Sequence, residues 1–430
     1  MITSFQVAPL LQVADPQLPP VSFFPWLIFA LIKLLIVFTL YMVAAALLTL
    51  AERKLSAWIQ DRHGPNRVGP WGLMQPLADG LKNLVKEEAA PSFASGALYN
   101  LAPIISFIPA LITWAVIPFG APMPTRWGRV DMVLADLPIG YLYVLAIGSL
   151  GVYGIVLAGW ASNNKYALLG GLRSSAQMIS YEIAMGMSTI PVVLLAGNVT
   201  LSAIVMRQSE MGWNAVTLTF AFFVFVIAAF AETNRLPFDL PEAESELITG
   251  YHTEYSSMKF SFFFIAEYAN MVTASAMMAT LFLGGWDIPF WHGDNVGQYS
   301  ILVSLLTILS FLVKVLFFLF FFMWIRWTLP RFRYDQLMSL GWKILLPMTL
   351  AYIMVVAGAV LGLDMARVPR DWHFALSMFA LNVVIMVLVF WVLDRGRIVS
   401  PASSRIRTAE LERLRTLSRR SPLTPREAGD

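Results

Sequence analysis

Nine long apolar stretches dominate the pattern of hydrophobic positions along the chain: 25–50, 101–119, 137–160, 175–197, 213–232, 258–284, 298–325, 343–363 and 372–393. Each approaches or exceeds the roughly 20 apolar residues that an α-helix needs to cross a bilayer. The fourth can be extended back toward Tyr166. Between the first two, Leu73, Leu77, Leu81, Leu84 and Val85 recur at helical spacing within 73–88, while Asp79, Lys82, Lys86 and Glu87 fall largely elsewhere. That spacing predicts an amphipathic helix lying in the membrane interface. The run Gly64-Pro65-Asn66-Arg67-Val68-Gly69-Pro70 just before it is turn-forming and cannot be helix. The pattern therefore predicts an all-α polytopic membrane helix bundle of about nine transmembrane helices with one interfacial amphipathic helix. Its parts are an N-terminal segment 1–24, a transmembrane domain 25–394 with long polar loops at 51–100 and 233–257, and a tail 395–430. No internal period of 20–50 residues and no pair of inverted half-sequences is visible.

Composition sharpens the class. Only 13% of the 430 residues are charged and 58% are hydrophobic, against about 25% charged in an ordinary soluble domain. The mean hydropathy is +0.67. A water-soluble enzyme, a nucleic-acid binder and a disordered scaffold are all excluded on this balance. Cysteine is absent, so the chain itself holds no disulfide, thiolate zinc site or cysteine-ligated iron–sulfur cluster. His63, His252, His292 and His373 are far apart and lie in loops or at span ends, which does not suit a bis-histidine haem. Of the 30 Lys and Arg, 23 fall in the loops after the first, third, fifth and seventh stretches and in the tail, and five fall on the other side. This bias puts the odd-numbered loops and the C-terminus in the cytoplasm. No basic segment precedes the first stretch, whose approach holds Asp15, Pro16, Pro19 and Pro20, so a secretory signal is not expected. The tail carries nine Arg against four acids, which fits a solvated segment held by anionic lipid.

Candidate chemistry concentrates in two loops and a few buried positions. Six carboxylates lie between Glu232 and Glu254, with Arg235 and Lys259 as the local counter-charges. Glu242 and Glu246 share a helix face at i,i+4 spacing while Glu244 points away. Like charges so placed repel, and partial burial would raise some of their pKa values toward neutrality. Two readings fit equally: a group that takes up and releases protons, and a solvated acidic loop facing a basic partner. Glu182, Glu267 and Lys314 sit deep in the fourth, sixth and seventh stretches, and Lys33 in the first. A charge in hydrocarbon costs several kcal/mol and usually faces a bundle interior or water. Together with Glu232, Glu182, Glu267 and Lys314 are expected to form a protonatable path; Lys33 is near enough to a surface to snorkel.

These loops carry a resemblance. The segments Glu52-Arg53-Lys54, Gly64–Pro70, Ala78-Asp79, Ala231-Glu232-Thr233-Asn234-Arg235, Pro237-Phe238-Asp239-Leu240, Glu242–Leu247 and Ala266-Glu267-Tyr268 closely resemble the membrane protein called the H subunit, or subunit 1, of respiratory complex I. Trp324–Arg326, Pro330–Met338 and Gly159–Asn163 followed by Tyr166-Ala167-Leu168 extend the match, which covers about 50–350. The resemblance implies a quinone-chamber and coupling subunit of proton-pumping NADH:quinone oxidoreductase, in the bacterial cytoplasmic membrane. It implies that quinone is the substrate and that this chain binds no cofactor, while NAD(H), flavin and iron–sulfur clusters reside in partner subunits. Expected partners are the peripheral-arm subunits that carry the terminal cluster and the quinone headgroup site, the small and antiporter-like membrane-arm subunits, and lipid. It further implies that Glu52 and Arg53 form a charged pair at the narrow part of the quinone tunnel. Asp79 would be another chamber carboxylate, and Glu242, Glu244, Glu246 and Glu254 the acidic loop touching chamber and peripheral arm. Glu182, Glu232 and Glu267 would lead from the chamber into the membrane arm, and the helix over 73–88 would form the lip of the quinone entrance between the first and sixth spans. Tyr251-His252 stands where Phe-Asn is common in the family. The rivals are the related membrane subunit of an ion-pumping hydrogenase and a free-standing transporter. The intact Glu52-Arg53-Lys54 and Gly64–Pro70 segments and the full acidic loop speak against both.

Overall fold

The computed structural model describes residues 23–125, 127–239, 250–289, 291, 300–370 and 372–394. Among these, eight helices are long and apolar enough to cross a membrane. They are α1 (Phe23–Ile59), α3 (Gly96–Ile112, continued by a 3₁₀ turn to Val116), α4 (Gly140–Ala161), α5 (Lys165–Ala196), α9 (Ser257–Phe282), α10 (Ile301–Thr328), the run from Tyr334 to Met365, and α13 (Trp372–Asp394). The Tyr334–Met365 run consists of α11 (Tyr334–Ser339), a π-helical stretch Leu340–Leu345 and α12 (Leu346–Met365). The remaining predicted span is shorter. Leu218, at φ −128° and ψ 46°, interrupts it, leaving a single turn α7 (Asn214–Thr217) and then α8 (Thr219–Glu232) of 14 residues. At 1.5 Å per residue α8 is about 21 Å long, less than a ~30 Å hydrocarbon core. It can be short because protein surrounds it: Leu218, Ala221, Ala228, Ala229 and Ala231 are fully buried, and backbone at membrane depth is tolerated where it is buried in protein.

The chain divides into two compact units, one through Met378 and one from Phe379 onward; the first unit holds all the polar chemistry described below. Its helices are packed through small residues and backbone-directed polar side chains, as expected where lipid removes the hydrophobic drive between helices. Gly154 of α4 lies against α3 so closely that a Cβ there would stand 2.7 Å from the Ser106 amide and 2.9 Å from the Ala102 carbonyl. The Tyr41 hydroxyl lies 3.0 Å from Ala110 O, 2.8 Å from Ala269 O and 2.9 Å from Thr273 Oγ1, which joins α1, α3 and α9.

Several elements depart from the sequence reading. α1 runs on to Ile59, so Glu52 and Arg53 are on a helix and not in the loop expected from residue 51. The predicted amphipathic helix spans Gln75–Val85 (α2), with Leu77, Leu81, Leu84 and Val85 exposed. The segment between the second and third spans, read as a plain connector, forms an antiparallel pair, β1 (Gly120–Thr125) with β2 (Gly128–Met132). Polar side chains of the spans hold it: Lys33 Nζ donates to Asp131 O (2.9 Å) and Val133 O (2.8 Å), Thr307 Oγ1 accepts from the Ala121 amide, and Ser304 Oγ donates to Pro122 O. Lys33 therefore binds carbonyls instead of merely reaching for water. The connector between the fourth and fifth spans likewise contains a helix, α6 (Leu201–Met211).

Gly154→Val is expected to destabilise the protein by about 1–3 kcal/mol, the usual cost of forcing atoms into a packed contact. Gly358→Ala, where a Cβ meets nothing within 4 Å, should leave the melting temperature in detergent unchanged or higher. Equal melting temperatures for the two variants would refute the close-contact account.

Candidate functional site

The ends of α1 and α10, the middle of α9 and the loop after α8 meet around one carboxylate. Glu52, on the last turns of α1, is 6% exposed, and Arg235, three residues past α8, is 7% exposed. Arg235 Nη1 reaches Glu52 Oε1 at 3.0 Å and Oε2 at 3.1 Å. Arg326, at the end of α10, donates to Glu52 Oε1, and the Tyr268 hydroxyl of α9 donates to Oε2 at 2.6 Å. The other edge of the Arg235 guanidinium lies 2.7 Å from Glu267 Oε1, and its Cζ stands 4.5 Å from the centroid of the Tyr268 ring. Two carboxylates thus face two guanidiniums, and the cluster is neutral as a whole. Removing one partner of such a buried pair typically costs about 3–5 kcal/mol, because the other charge is left uncompensated.

The loop carrying Arg235 is held from behind. Gln177 of α5 donates to Ala231 O (2.8 Å), Asn234 Oδ1 (3.0 Å) and Phe238 O (2.8 Å), and Asn234 Nδ2 donates to Ser174 Oγ (2.9 Å). Asn234 takes a left-handed φ of 49°, a conformation Asn tolerates better than most residues. This turn swings Arg235 inward onto Glu52.

Two cavities adjoin the cluster and share Asn234 and Glu267 as walls. The larger, about 370 Å³, is bounded by Arg235, Arg326, Arg331, Asp239, His252 and Tyr268 among others; Arg331 and Asp239 pair across it at 3.2 Å. The smaller, about 30 Å³, is bounded by Glu232, Ser106 and Asn270 among others, polar walls with room for one water. Glu267 is therefore the carboxylate common to both. Glu182 is near enough to Glu232 for their charges to interact, and Gly148 of α4 faces the Glu232 carboxyl.

The structure sorts the residues singled out from sequence. Glu52 and Glu267 are joined through Arg235, Glu267 and Glu232 line one small cavity, and Glu182 is near Glu232. Glu52 and Arg53 do not form the charged pair expected: adjacent helical residues point about 100° apart. Arg53 is half exposed and reaches Asp79 Oδ2 of α2 at 2.7 Å, while Gln75 Nε2 donates to the other oxygen of Asp79. Glu254 is set apart: its Oε1 accepts from Asn164 Nδ2 at 2.7 Å, and its carbonyl accepts from the Tyr99 hydroxyl. Lys314 does not join Glu52, Glu232 and Glu267; it donates to Leu283 O, Gly285 O and Asp287 O beyond the far end of α9 and lies over Trp213, whose indole N–H donates to Asp287 Oδ2. Glu242, Glu244 and Glu246 lie outside the described residues. Sequence reasoning assigned no role to Arg326, Tyr268, Gln177 or Asn234. All four sit in or near polar motifs, but only the fold shows which carboxylate or carbonyl each one meets.

Helix α2 is attached beside this site. Asn83 Nδ2 donates to Ser261 Oγ of α9 (2.7 Å), and Ser257 Oγ donates to Asn83 O (2.8 Å) and Lys86 O (3.0 Å). With the Arg53–Asp79 pair, α2 is tied to both α1 and α9, and its leucines stay outward.

His252 lines the larger cavity but is packed among Tyr251, Phe260 and Phe264. Burial lowers its pKa from 6.5 to about 4, so the imidazole is neutral near pH 7. Between about pH 6.5 and about 4 the unfolded chain binds a proton that the folded one does not. Stability is full above pH 6.5 and falls as pH drops through this window, by about 3 kcal/mol in all. His252→Phe should therefore flatten the acid side of the melting-temperature profile between pH 6.5 and 4 and leave the neutral side unchanged. A variant that keeps the wild-type acid slope would show that His252 is not its source.

Comparison with known proteins places this geometry in context. A family model described as NADH dehydrogenase matches residues 32–357. The chain is 50% identical over 325 residues to a Cytophaga hutchinsonii protein named as an H subunit of NADH-quinone oxidoreductase, covering 76% of this chain and 94% of that one. It is 52% identical over 333 residues to the NADH-quinone oxidoreductase H subunit of Leptospira biflexa, covering 75% and 92%. It is 46% identical over 385 residues to the Streptomyces avermitilis protein of that name, covering 87% and 81%.

Proposed function

Because the chain belongs to the family of NADH-quinone oxidoreductase H subunits, membrane components of that enzyme complex, we propose that it forms the quinone chamber and couples quinone reduction to proton translocation. The observation that carries this reading is the buried Glu52–Arg235–Glu267 network, which opens on one side to a 370 Å³ cavity and on the other to the Glu232 carboxyl. The end of the bundle that bears α2 and the loop after α8 is then the cytoplasmic end, in a bacterial inner membrane. The loop after α8 is then the part that meets the peripheral-arm subunits, which hold the flavin, the iron–sulfur clusters and the headgroup site. The small and antiporter-like membrane-arm subunits pack against the spans.

In this reading, α2 admits an isoprenoid tail from lipid along its outward leucines, between α1 and α9. Arg53, held by Asp79 at that threshold, donates a hydrogen bond to a passing quinone oxygen; guanidinium is always charged and has no acceptor of its own. Inside, reduction of the quinone calls for protons and changes the local charge. The neutral set of two carboxylates and two guanidiniums responds to that change, because taking one charge from it leaves a buried partner uncompensated. Glu267, shared by both cavities, passes the shift to Glu232 and Glu182, from which it reaches the neighbouring membrane subunits.

Losing one charge-assisted hydrogen bond costs about 1.5–3 kcal/mol, so Arg53→Ala should lower quinone-linked turnover about 10-fold or more. Oxidation of NADH by an artificial acceptor should stay at the wild-type rate in the same complex. Equal loss of both activities would count against a quinone-path role. Glu232→Gln removes a titratable proton with little change in volume, and should reduce protons moved per NADH in proteoliposomes of the assembled complex. A wild-type ratio there would remove Glu232 from the coupling path.

A further inference from the structure

Four helices meet at the smaller cavity. Ser106 of α3, Gly151 of α4, Glu232 at the end of α8, and Glu267 and Asn270 of α9 all border it. Glu267 and Asn270 stand at i,i+3 spacing and so share one face of α9. Gly154, further along α4, leaves room for the serine: a Cβ there would stand 2.1 Å from Ser106 Oγ. The Ser106 hydroxyl lies 3.5 Å from Gly151 O, which is long against the roughly 2.5–3.0 Å of a full O–H···O bond. It keeps most of its bonding capacity for the cavity. Among the described residues, neither the Glu232 carboxyl nor the Asn270 side-chain amide has a hydrogen bond or a counter-charge. Polar groups withdrawn from bulk water need a partner, and these two face the same space.

A volume of about 30 Å³ suits one water, which needs about two to four polar partners. The walls offer two carboxyls, a hydroxyl and an amide. The hydroxyl and the amide each donate and accept. They can therefore hold a water in either orientation, whichever of the two carboxyls carries a proton. We propose that one water in this cavity, held by Ser106 and Asn270, joins Glu267 to Glu232, and that Ser106 and Asn270 are positioning residues for proton transfer between the two carboxyls. The proposal rests on the coupling role argued above. In the step itself, the O–H bond of a protonated Glu267 breaks as its proton passes to the water oxygen. The water gives one of its own protons to the Glu232 carboxylate, where a new O–H bond forms. Glu267 is left ionised, Glu232 neutral and the water unchanged, with no electrons exchanged.

The test uses the assembled complex and two readouts. A cryo-EM map at a resolution that shows ordered water should hold one water within hydrogen-bond distance of Ser106 and Asn270, between the two carboxyls. A map with no water there overturns the proposal. The second readout is protons moved per NADH in proteoliposomes for Ser106→Ala, Asn270→Leu and Asn270→Ser. Ser106→Ala and Asn270→Leu should bring the ratio down toward that of Glu232→Gln, while NADH oxidation by an artificial acceptor keeps the wild-type rate. Asn270→Ser, which keeps a hydroxyl, should stay nearer the wild-type ratio; a purely structural asparagine would not be rescued in this way. Wild-type ratios in Ser106→Ala and Asn270→Leu, beside a lowered ratio in Glu232→Gln, would overturn the water step and leave the coupling reading in place. A wild-type ratio in Glu232→Gln would overturn that reading and this step with it. Ser106→Ala removes only the hydroxyl, and carries the ratio test if Asn270→Leu fails to assemble.

Discussion

Glu52 is a carboxylate withdrawn from water, and the surroundings it requires organise one end of the protein. A buried anion needs counter-charge and hydrogen-bond donors on its oxygens. Arg235, Arg326 and Tyr268 supply them from three different elements. For those groups to converge, α1 must continue as helix past its apolar stretch, α10 must end beside it, and the chain after α8 must turn inward. The inward turn leaves backbone carbonyls in a buried place; Gln177 donates to those of Ala231 and Phe238, and the Asn234 side chain braces the turn against Gln177 and Ser174.

The two ends of the bundle use polar groups in opposite ways. Around Glu52 the partners are two guanidiniums and a phenol hydroxyl, with open volume beside Arg235 and Arg326. At the far end of α9 Lys314 donates to backbone carbonyls, with Gln208 and Asn214 also bonding backbone there. The hairpin is fastened to the spans by Lys33 and Ser304 on its carbonyls and by Thr307 on the Ala121 amide. Backbone groups so held fix the course of the chain where the helices end.

Glu182, Glu232 and Glu267 stand out in the sequence because a carboxylate in an apolar stretch is costly; the structure places Glu232 and Glu267 on one small cavity and Glu182 near Glu232. The same cost argument flagged Lys314, but it could not say which backbone carbonyls the ammonium would meet. Arg53 and Glu52 are neighbours in sequence and parted in space by the helical turn, so Arg53 went to Asp79 and Glu52 to Arg235. His252 is a local departure in the sequence; in the fold Tyr251 and, from α9, Phe260 and Phe264 pack on it, and burial holds it neutral.

Hydrophobic pattern alone determined the class, the approximate count of spans, the amphipathic α2 and the concentration of chemistry in two loops, because bilayer thickness and helical pitch act on local sequence. The motifs around Glu52 and Glu232 determined the family, because they are long and mixed in composition. What only the tertiary structure decided was pairing: which guanidinium meets which carboxylate, which backbone turns inward, and which carbonyls a buried lysine meets. Those outcomes depend on contacts between residues as far apart as 52 and 326, and no local pattern encodes the distance at which such groups finally meet.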